Sequence, residues 1–200
     1  MIIQSNSRVF VAGRTGSGKS YLIKKIIVKF SKVVFYDYKH EHNDIAKKYE
    51  VTEDLSEVAN FLRDESKKRK LIMYRPIDAT NNQFNNLCKI CYMAGNCTLV
   101  IDEVARHSTS YEVLEYHDLI MRLGRTRNVG IWNITQRPNV IHNTLISEAE
   151  HMIFFQLQLK SDRKKIEGVI GDVAEGLRDL EQYHFLYYDH LNGHKMMKPV

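Results

Sequence analysis

The stretch Gly13-Arg14-Thr15-Gly16-Ser17-Gly18-Lys19-Ser20 decides the reading of this chain. It follows a strand-like run, Arg8 to Ala12, and opens a helical pattern in which Leu22, Ile23, Ile26, Ile27 and Phe30 share one stripe. Glycines at 13, 16 and 18 let the backbone curl so that successive N–H groups point at one centre, where the helix N-terminus adds positive potential. A loop of this pattern between strand and helix is built to hold phosphate. On that reading Gly13, Arg14, Thr15, Gly16, Ser17 and Gly18 form the cradle. Lys19 carries a charge to the β- and γ-phosphates of a nucleotide, and Ser20 offers its hydroxyl to Mg²⁺.

Further along, Cys97-Thr98-Leu99-Val100-Ile101-Asp102-Glu103 is an apolar run that ends in two acids, which reads as a buried parallel strand with carboxylates at its C-terminal tip. That is the edge of an α/β sheet where ligands bind. Asp102 is placed to hold Mg²⁺ and Glu103 to polarise an attacking water, so the pair points to hydrolysis rather than transfer to a small acceptor. A third run, Gly130 to Thr135 followed by Gln136-Arg137-Pro138, puts Gln136 at a strand tip as a candidate γ-phosphate sensor. Just before it, Arg122, Arg125 and Arg127 close a helix. Cations are favoured at a helix C-terminus, and three arginines beside a hydrolytic site also suit an arginine finger acting on a neighbouring subunit's nucleotide.

Strand-like and helix-like segments alternate throughout, which predicts an α/β fold with a mostly parallel sheet flanked by helices and extra C-terminal strands. Expected strands are Arg8–Ala12, Lys32–Tyr36, Leu71–Tyr74, Thr98–Ile101, Gly130–Thr135, His151–Leu157 and Tyr183–Tyr188, with a helix over Tyr111–Leu123. The three prolines, at 76, 138 and 199, fall in expected loops or tail. The length of 200 residues, 44% hydrophobic and 26% charged, suits one domain spanning residues 1–200. No apolar run is long enough for a transmembrane helix, and the start lacks a secretory pattern, so the chain is expected not to be secreted. Lys and Arg total 29 against 24 acids, a net charge of +5 that favours a polyanionic partner. Cys88, Cys91 and Cys97 lack a fourth partner for zinc and read as free thiols in a reducing compartment. No H-x3-H or H-E-x2-H pair among the nine histidines stands on one expected helix face, and His42 and His107 are read as solvated or core residues. The cluster Lys67-Lys68-Arg69-Lys70 and the run Lys160, Arg163, Lys164, Lys165 are read as solvated helix ends. The aromatics of Tyr183 to Tyr188 are read as core.

Five elements together resemble the FtsK/HerA superfamily of DNA-pumping P-loop ATPases: Gly13 to Ser20, Asp37-Tyr38-Lys39-His40-Glu41, Leu99 to Glu103, Arg127-Asn128-Val129-Gly130-Ile131, and Thr135 to Pro138. The resemblance covers most of the chain. It implies a RecA-like (ASCE) core, ATP and Mg²⁺ as cofactors, and a homo-oligomeric ring around double-stranded DNA that contacts the backbone. Carried over, Lys19 and Ser20 serve phosphate and Mg²⁺, Asp102 is the metal-side acid, Glu103 the base and Gln136 the sensor. Arg127 falls where the family's trans arginine is expected, with Arg125 in reserve. A bare core of this length resembles the genome-packaging ATPases of double-stranded DNA viruses, including archaeal viruses with an internal membrane. That implies a capsid or membrane protein of the virion as partner, and work in the host cytoplasm or at the packaging vertex. Tyr38 and His40 stand where the family often has Pro and Gly. A small-molecule P-loop kinase, a plasmid or conjugative DNA-transfer ATPase, and a nucleotide-binding scaffold or switch remain as alternative readings.

Overall fold

A computed structural model describes residues 2–66 and 70–197. Lys67, Lys68, Arg69 and Pro199 lie outside the described residues. In chain order the elements are β1 (Arg8–Ala12), α1 (Lys19–Ile27), β2 (Lys32–Tyr36), α2 (Asn43–Ala46), β3 (Glu50–Thr52), α3 (Leu55–Arg63), β4 (Lys70–Tyr74) and α4 (Asn81–Ala94). There follow β5 (Cys97–Ile101), α5 (Glu115–Leu123), β6 (Val129–Thr135), α6 (Asn143–Ser147), β7 (His151–Phe154), α7 (Lys160–Ile170), β8 (Phe185–Asp189) and β9 (Gly193–Met197). The strands join in one sheet in the order β3-β4-β2-β5-β6-β1-β7-β8-β9. The first seven are parallel to their neighbours, and β8 and β9 add antiparallel.

Both faces of the sheet are covered, which is why its strands are apolar at nearly every position. Alternate side chains feed two cores. Val9, Val11, Val33, Phe35 and Trp132 pack against Leu22, Ile23 and Ile27 of α1 and Ile45 of α2. Phe10, Val34, Tyr36, Leu99, Ile101 and Ile131 point the other way, toward α3, α4, α5 and α7. Local caps fix the helix starts. Asp54 accepts from Ser56 N–H at α3, and Thr80 and Gln83 form a reciprocal capping box at α4.

The expected strands are present, with corrections at their ends and two additions. β7 stops at Phe154, although the chain keeps one more ladder bond, from Phe155 N–H to Ala12 O. β8 starts at Phe185, because Tyr183 adopts φ +68 and turns the backbone before the strand. β3 and β9 have no counterpart in the sequence reading. β3 is three residues long and β9 is largely exposed, so neither carries an apolar run. α5 begins at Glu115, four residues later than expected. Cys88, Cys91 and Cys97 are free and buried, where they pack as small apolar groups. Among the described residues no helix is long and apolar enough to cross a membrane.

Two readings of basic residues need correction. Arg163 is buried, not solvated, and its guanidinium donates to Leu157 O and Gln158 O. Lys70 is also buried and pairs with Asp64 at 2.5 Å.

Candidate functional site

Because β1, β2, β5 and β6 are parallel neighbours, the residues that follow them, Gly13, Asp37, Asp102 and Gln136, emerge at one edge of the sheet. The order places β6 directly between β1 and β5. Glu103 and Gln136 therefore lie on the β5–β6 flank of the loop that follows β1.

The loop itself is tightly held. Gly13 N–H donates to Thr135 O, Arg14 N–H to Gln156 O, and the Arg14 Nε to Gln156 Oε1 at 2.5 Å. A Cβ at Gly13 would lie 2.5 Å from the Phe155 Cβ, so the β7 extension leaves room for no side chain there. Gly18 caps α1 at φ +111, and a Cβ would meet the Tyr183 ring at 2.8 Å. Lys19 is buried, with its ammonium donating to Gly13 O at 2.6 Å and Arg14 O at 2.9 Å. Burial pulls its pKa down to about 8, against the opposing pull of Asp102 and Glu103. Ser17 Oγ is buried without a hydrogen-bond partner, and the first turn of α1 has no side-chain cap. An orphaned hydroxyl, an uncapped helix start and a buried ammonium together fit an anion such as a phosphate chain.

The acids are equally constrained. Glu103 adopts φ +61, in the left-handed region, which turns its carboxylate back toward β6. There it accepts from Thr135 Oγ1 at 2.9 Å and from Gln136 N–H at 3.3 and 3.4 Å, with the Lys39 ammonium at 4.0 Å. Gln136 turns its side chain to the loop and accepts from Thr15 Oγ1 at 2.7 Å. Asp102 accepts from His42 Nε2 at 2.7 Å. His42 belongs to the turn after β2, whose N–H groups at Glu41 and His42 donate to Asp37, itself clamped by Arg75 at 2.7 and 3.0 Å. Among the described residues no three His, Cys, Asp or Glu side chains cluster around a cation. Ser20 and Asp102 fit Mg²⁺ as partial ligands, the rest being phosphate oxygens and water.

The sequence reading is thus brought together at one edge for Gly13 to Ser20, Asp102, Glu103 and Gln136. The two arginines are elsewhere. Arg125 and Arg127 precede β6 and lie at the opposite edge of the sheet. Arg127 donates to Tyr92 O and Met93 O and stacks over the Tyr92 ring. Arg125 projects, 72% exposed, and pairs with Glu150 at 3.4 Å. His42, Thr135 and Lys39 are contacts that residue reading missed or left without a role. Lys39 carried a signal in the D-x-K-x-E spacing and Thr135 one in the Thr135-to-Pro138 element, whereas His42 carried none. His42 is buried, as its core reading allows, and the structure adds a role by placing its ring nitrogen on Asp102. A small cleft of about 300 Å³ lined by Arg14, Thr15, Gln136, Arg137 and Asp162 adjoins the loop.

No protein-family model matches the chain. It is 25% identical over 213 residues to the DNA packaging ATPase P9 of Enterobacteria phage PRD1, covering 96% of this chain and 87% of P9. Among solved structures it is similar to the genome packaging NTPase B204 from Sulfolobus turreted icosahedral virus 2 in complex with AMPPCP. That match has a TM-score of 0.81 at 26% identity and covers 99% of this chain and 100% of B204. The bacterial conjugative coupling protein TrwB superposes with a TM-score of 0.63 at 9% identity, over 98% of this chain and 85% of its own, a likeness of fold alone. The fold is that of the RecA-like P-loop ATPases.

Proposed function

We propose that this chain, a P-loop ATPase of FtsK/HerA type most like the genome-packaging ATPases of double-stranded DNA viruses, hydrolyses ATP to move double-stranded DNA into a preformed capsid. The observation that carries the hydrolytic part is the placement of Glu103. Its carboxylate lies on the β5–β6 flank of the phosphate loop, oriented by Thr135 and by the backbone of Gln136, whose side chain reaches Thr15 of that loop.

In this reading Lys19 leaves its two carbonyl partners for the β- and γ-phosphates. Glu103 orients a water in line with the γ-phosphate and takes its proton, and Gln136 reports the γ-phosphate to both groups. Ser20 Oγ, and Asp102 through water, would hold Mg²⁺, which when bound would neutralise charge on the phosphates. His42 fixes the Asp102 carboxylate by one oxygen and leaves the other for the metal's water shell. A kinase acting on a small molecule does not need a water-activating acid at this position, so the placement of Glu103 favours hydrolysis.

Subunits assemble as a ring. Arg125 or Arg127, at the edge opposite the chain's own loop, faces a neighbour's nucleotide. Of the two, Arg125 has the more exposed guanidinium, held by a single long ion pair to Glu150 at 3.4 Å. The modest charge of +5 per subunit suits several copies sharing one duplex through its phosphates. A capsid or membrane protein of the virion supplies the docking point at the packaging vertex.

ATP turnover with and without long duplex DNA at low salt, for wild type and Glu103→Gln, tests the proposal. DNA should raise wild-type turnover, and the substitution should lower kcat by about 10²- to 10⁴-fold. Turnover indifferent to DNA in an assembled protein sinks the motor reading, and an unaffected Glu103→Gln sinks the assignment of the base.

A further inference from the structure

The site described so far receives the phosphates of a nucleotide and leaves its other end without a residue. Strand order fixes where that end must go. Glu103 and Gln136 stand on the β5–β6 flank of the phosphate loop, while β7, β8 and the segment 178–184 stand on the other. A triphosphate with its γ-phosphate toward Glu103 directs its sugar and base to the β7–β8 flank.

That flank carries two tyrosines that the core does not use. Tyr21, the residue after Ser20, is 52% exposed and Tyr183 is 45% exposed. Their ring centroids lie 6.5 Å apart with the planes at 60°. Tyr183 is held at φ +68, a backbone region that bulky side chains rarely adopt. Two bonds impose it. Tyr183 N–H donates to Ser17 O at 3.0 Å, and Gln182 Nε2 donates to Gly16 O at 3.1 Å. A strained turn is thus tied at two points to the phosphate loop, with the Tyr183 ring against Gly18. The sequence reading placed this ring in an added strand as core, and the structure puts it on the surface beside the loop.

We infer that Tyr21 and Tyr183, which meet edge to face, form the nucleobase site of the phosphate loop, one ring stacking on the base of a purine nucleoside triphosphate and the other flanking it. The inference rests on the reading of the loop as a nucleotide site. The Lys25 ammonium covers one face of Tyr21 at 4.6 Å, so the base meets the remaining face and the Tyr183 ring. Stacking on aromatic rings tolerates any base, because every base has a π-face. Gln182 is engaged with the loop and does not read base edges, so ATP and GTP bind alike. A pyrimidine nucleotide, with less ring to stack, binds more weakly.

Calorimetric titration with ATP and with inorganic tripolyphosphate, in Mg²⁺ and in a Glu103→Gln background that suppresses turnover, tests the site. Tyr21→Ala and Tyr183→Ala should each weaken ATP binding by about tenfold, leave tripolyphosphate binding unchanged, and spare Tyr183→Phe. Two results overturn the inference: alanine variants that bind ATP as tightly as the parent, or an equal loss for ATP and tripolyphosphate, which would mean that the rings only shape the loop. Tyr21 sits on an exposed helix face, so its variant tests the site even if the Tyr183 variant fails to fold. If the parent binds neither ligand, the nucleotide reading falls with it.

Discussion

The Thr15 hydroxyl donates a 2.7 Å hydrogen bond to Oε1 of Gln136, while the backbone N–H of Gln136 points at the Glu103 carboxylate. The loop and Glu103 are joined through one residue. Gln136→Ala keeps the backbone contact to Glu103 and deletes the link to the loop. We expect kcat to fall by about 10²-fold through misplacement of the reacting groups, with KM nearly unchanged. Steady-state kinetics separates the two. A matching loss of ATP affinity would mean that Gln136 shapes the cradle instead of sensing the γ-phosphate.

The two candidate fingers should behave differently. Arg127 binds the Tyr92 and Met93 carbonyls near the end of α4, so Arg127→Ala should lower stability by about 1–2 kcal/mol in chemical denaturation. Arg125 is mostly exposed, and Arg125→Ala should leave stability within about 0.5 kcal/mol of wild type. In the assembled protein Arg125→Ala should lower ATP turnover by about 10³-fold. Mixing it with Lys19→Ala subunits should restore part of the activity. Restoration by mixing Lys19→Ala with Arg127→Ala, and not with Arg125→Ala, would return the role to Arg127.

Acid should destabilise the fold through two buried histidines. His117 donates Nε2–H to Asn133 Oδ1, has no partner for Nδ1, and is held down to about 4 by burial. His107 lies flat on Phe84, between the Tyr36 hydroxyl and Asn81, and burial holds it down to about 3. A folded-state pKa below the unfolded value means that the unfolded chain takes the proton first. Stability is therefore complete above about pH 6.5 and is lost as pH falls toward 4, by about 3 kcal/mol for His117. Unfolding free energy measured from pH 7 to 4 should decline less steeply for His117→Gln. An unchanged slope would place the acid sensitivity elsewhere.

What the sequence revealed follows from the range of each interaction. The phosphate loop, the buried strands and the acids at a strand tip are local patterns, so Gly13 to Ser20, Asp102, Glu103 and most strand bounds were legible. β9 was not, because its residues are exposed and its pairing with β8 sets it. His42 and Asp102 are 60 residues apart, and nothing in either neighbourhood announces their bond. Tyr183 was misread for a related reason. Its aromatic neighbours in β8 are core, and only the bond from its N–H to Ser17 reveals that its own backbone turns toward the loop.

Removing Arg75 should reach Asp102 from a distance. The Asp37 side chain is fully buried, and Arg75 is the cation that neutralises it. Arg75→Ala leaves a buried carboxylate without its counter-charge, which should lower stability by about 3–5 kcal/mol. Adding Asp37→Asn removes the orphaned charge, so the double variant should be less destabilised than the sum of the two single ones. Asp37 also holds the N–H groups of Glu41 and His42, and His42 in turn holds Asp102. Loosening that turn frees the Asp102 carboxylate, so Arg75→Ala should need more Mg²⁺ for half-maximal ATP turnover at temperatures where it is folded. A stability loss with an unchanged Mg²⁺ requirement would show that the turn supports the fold without orienting Asp102.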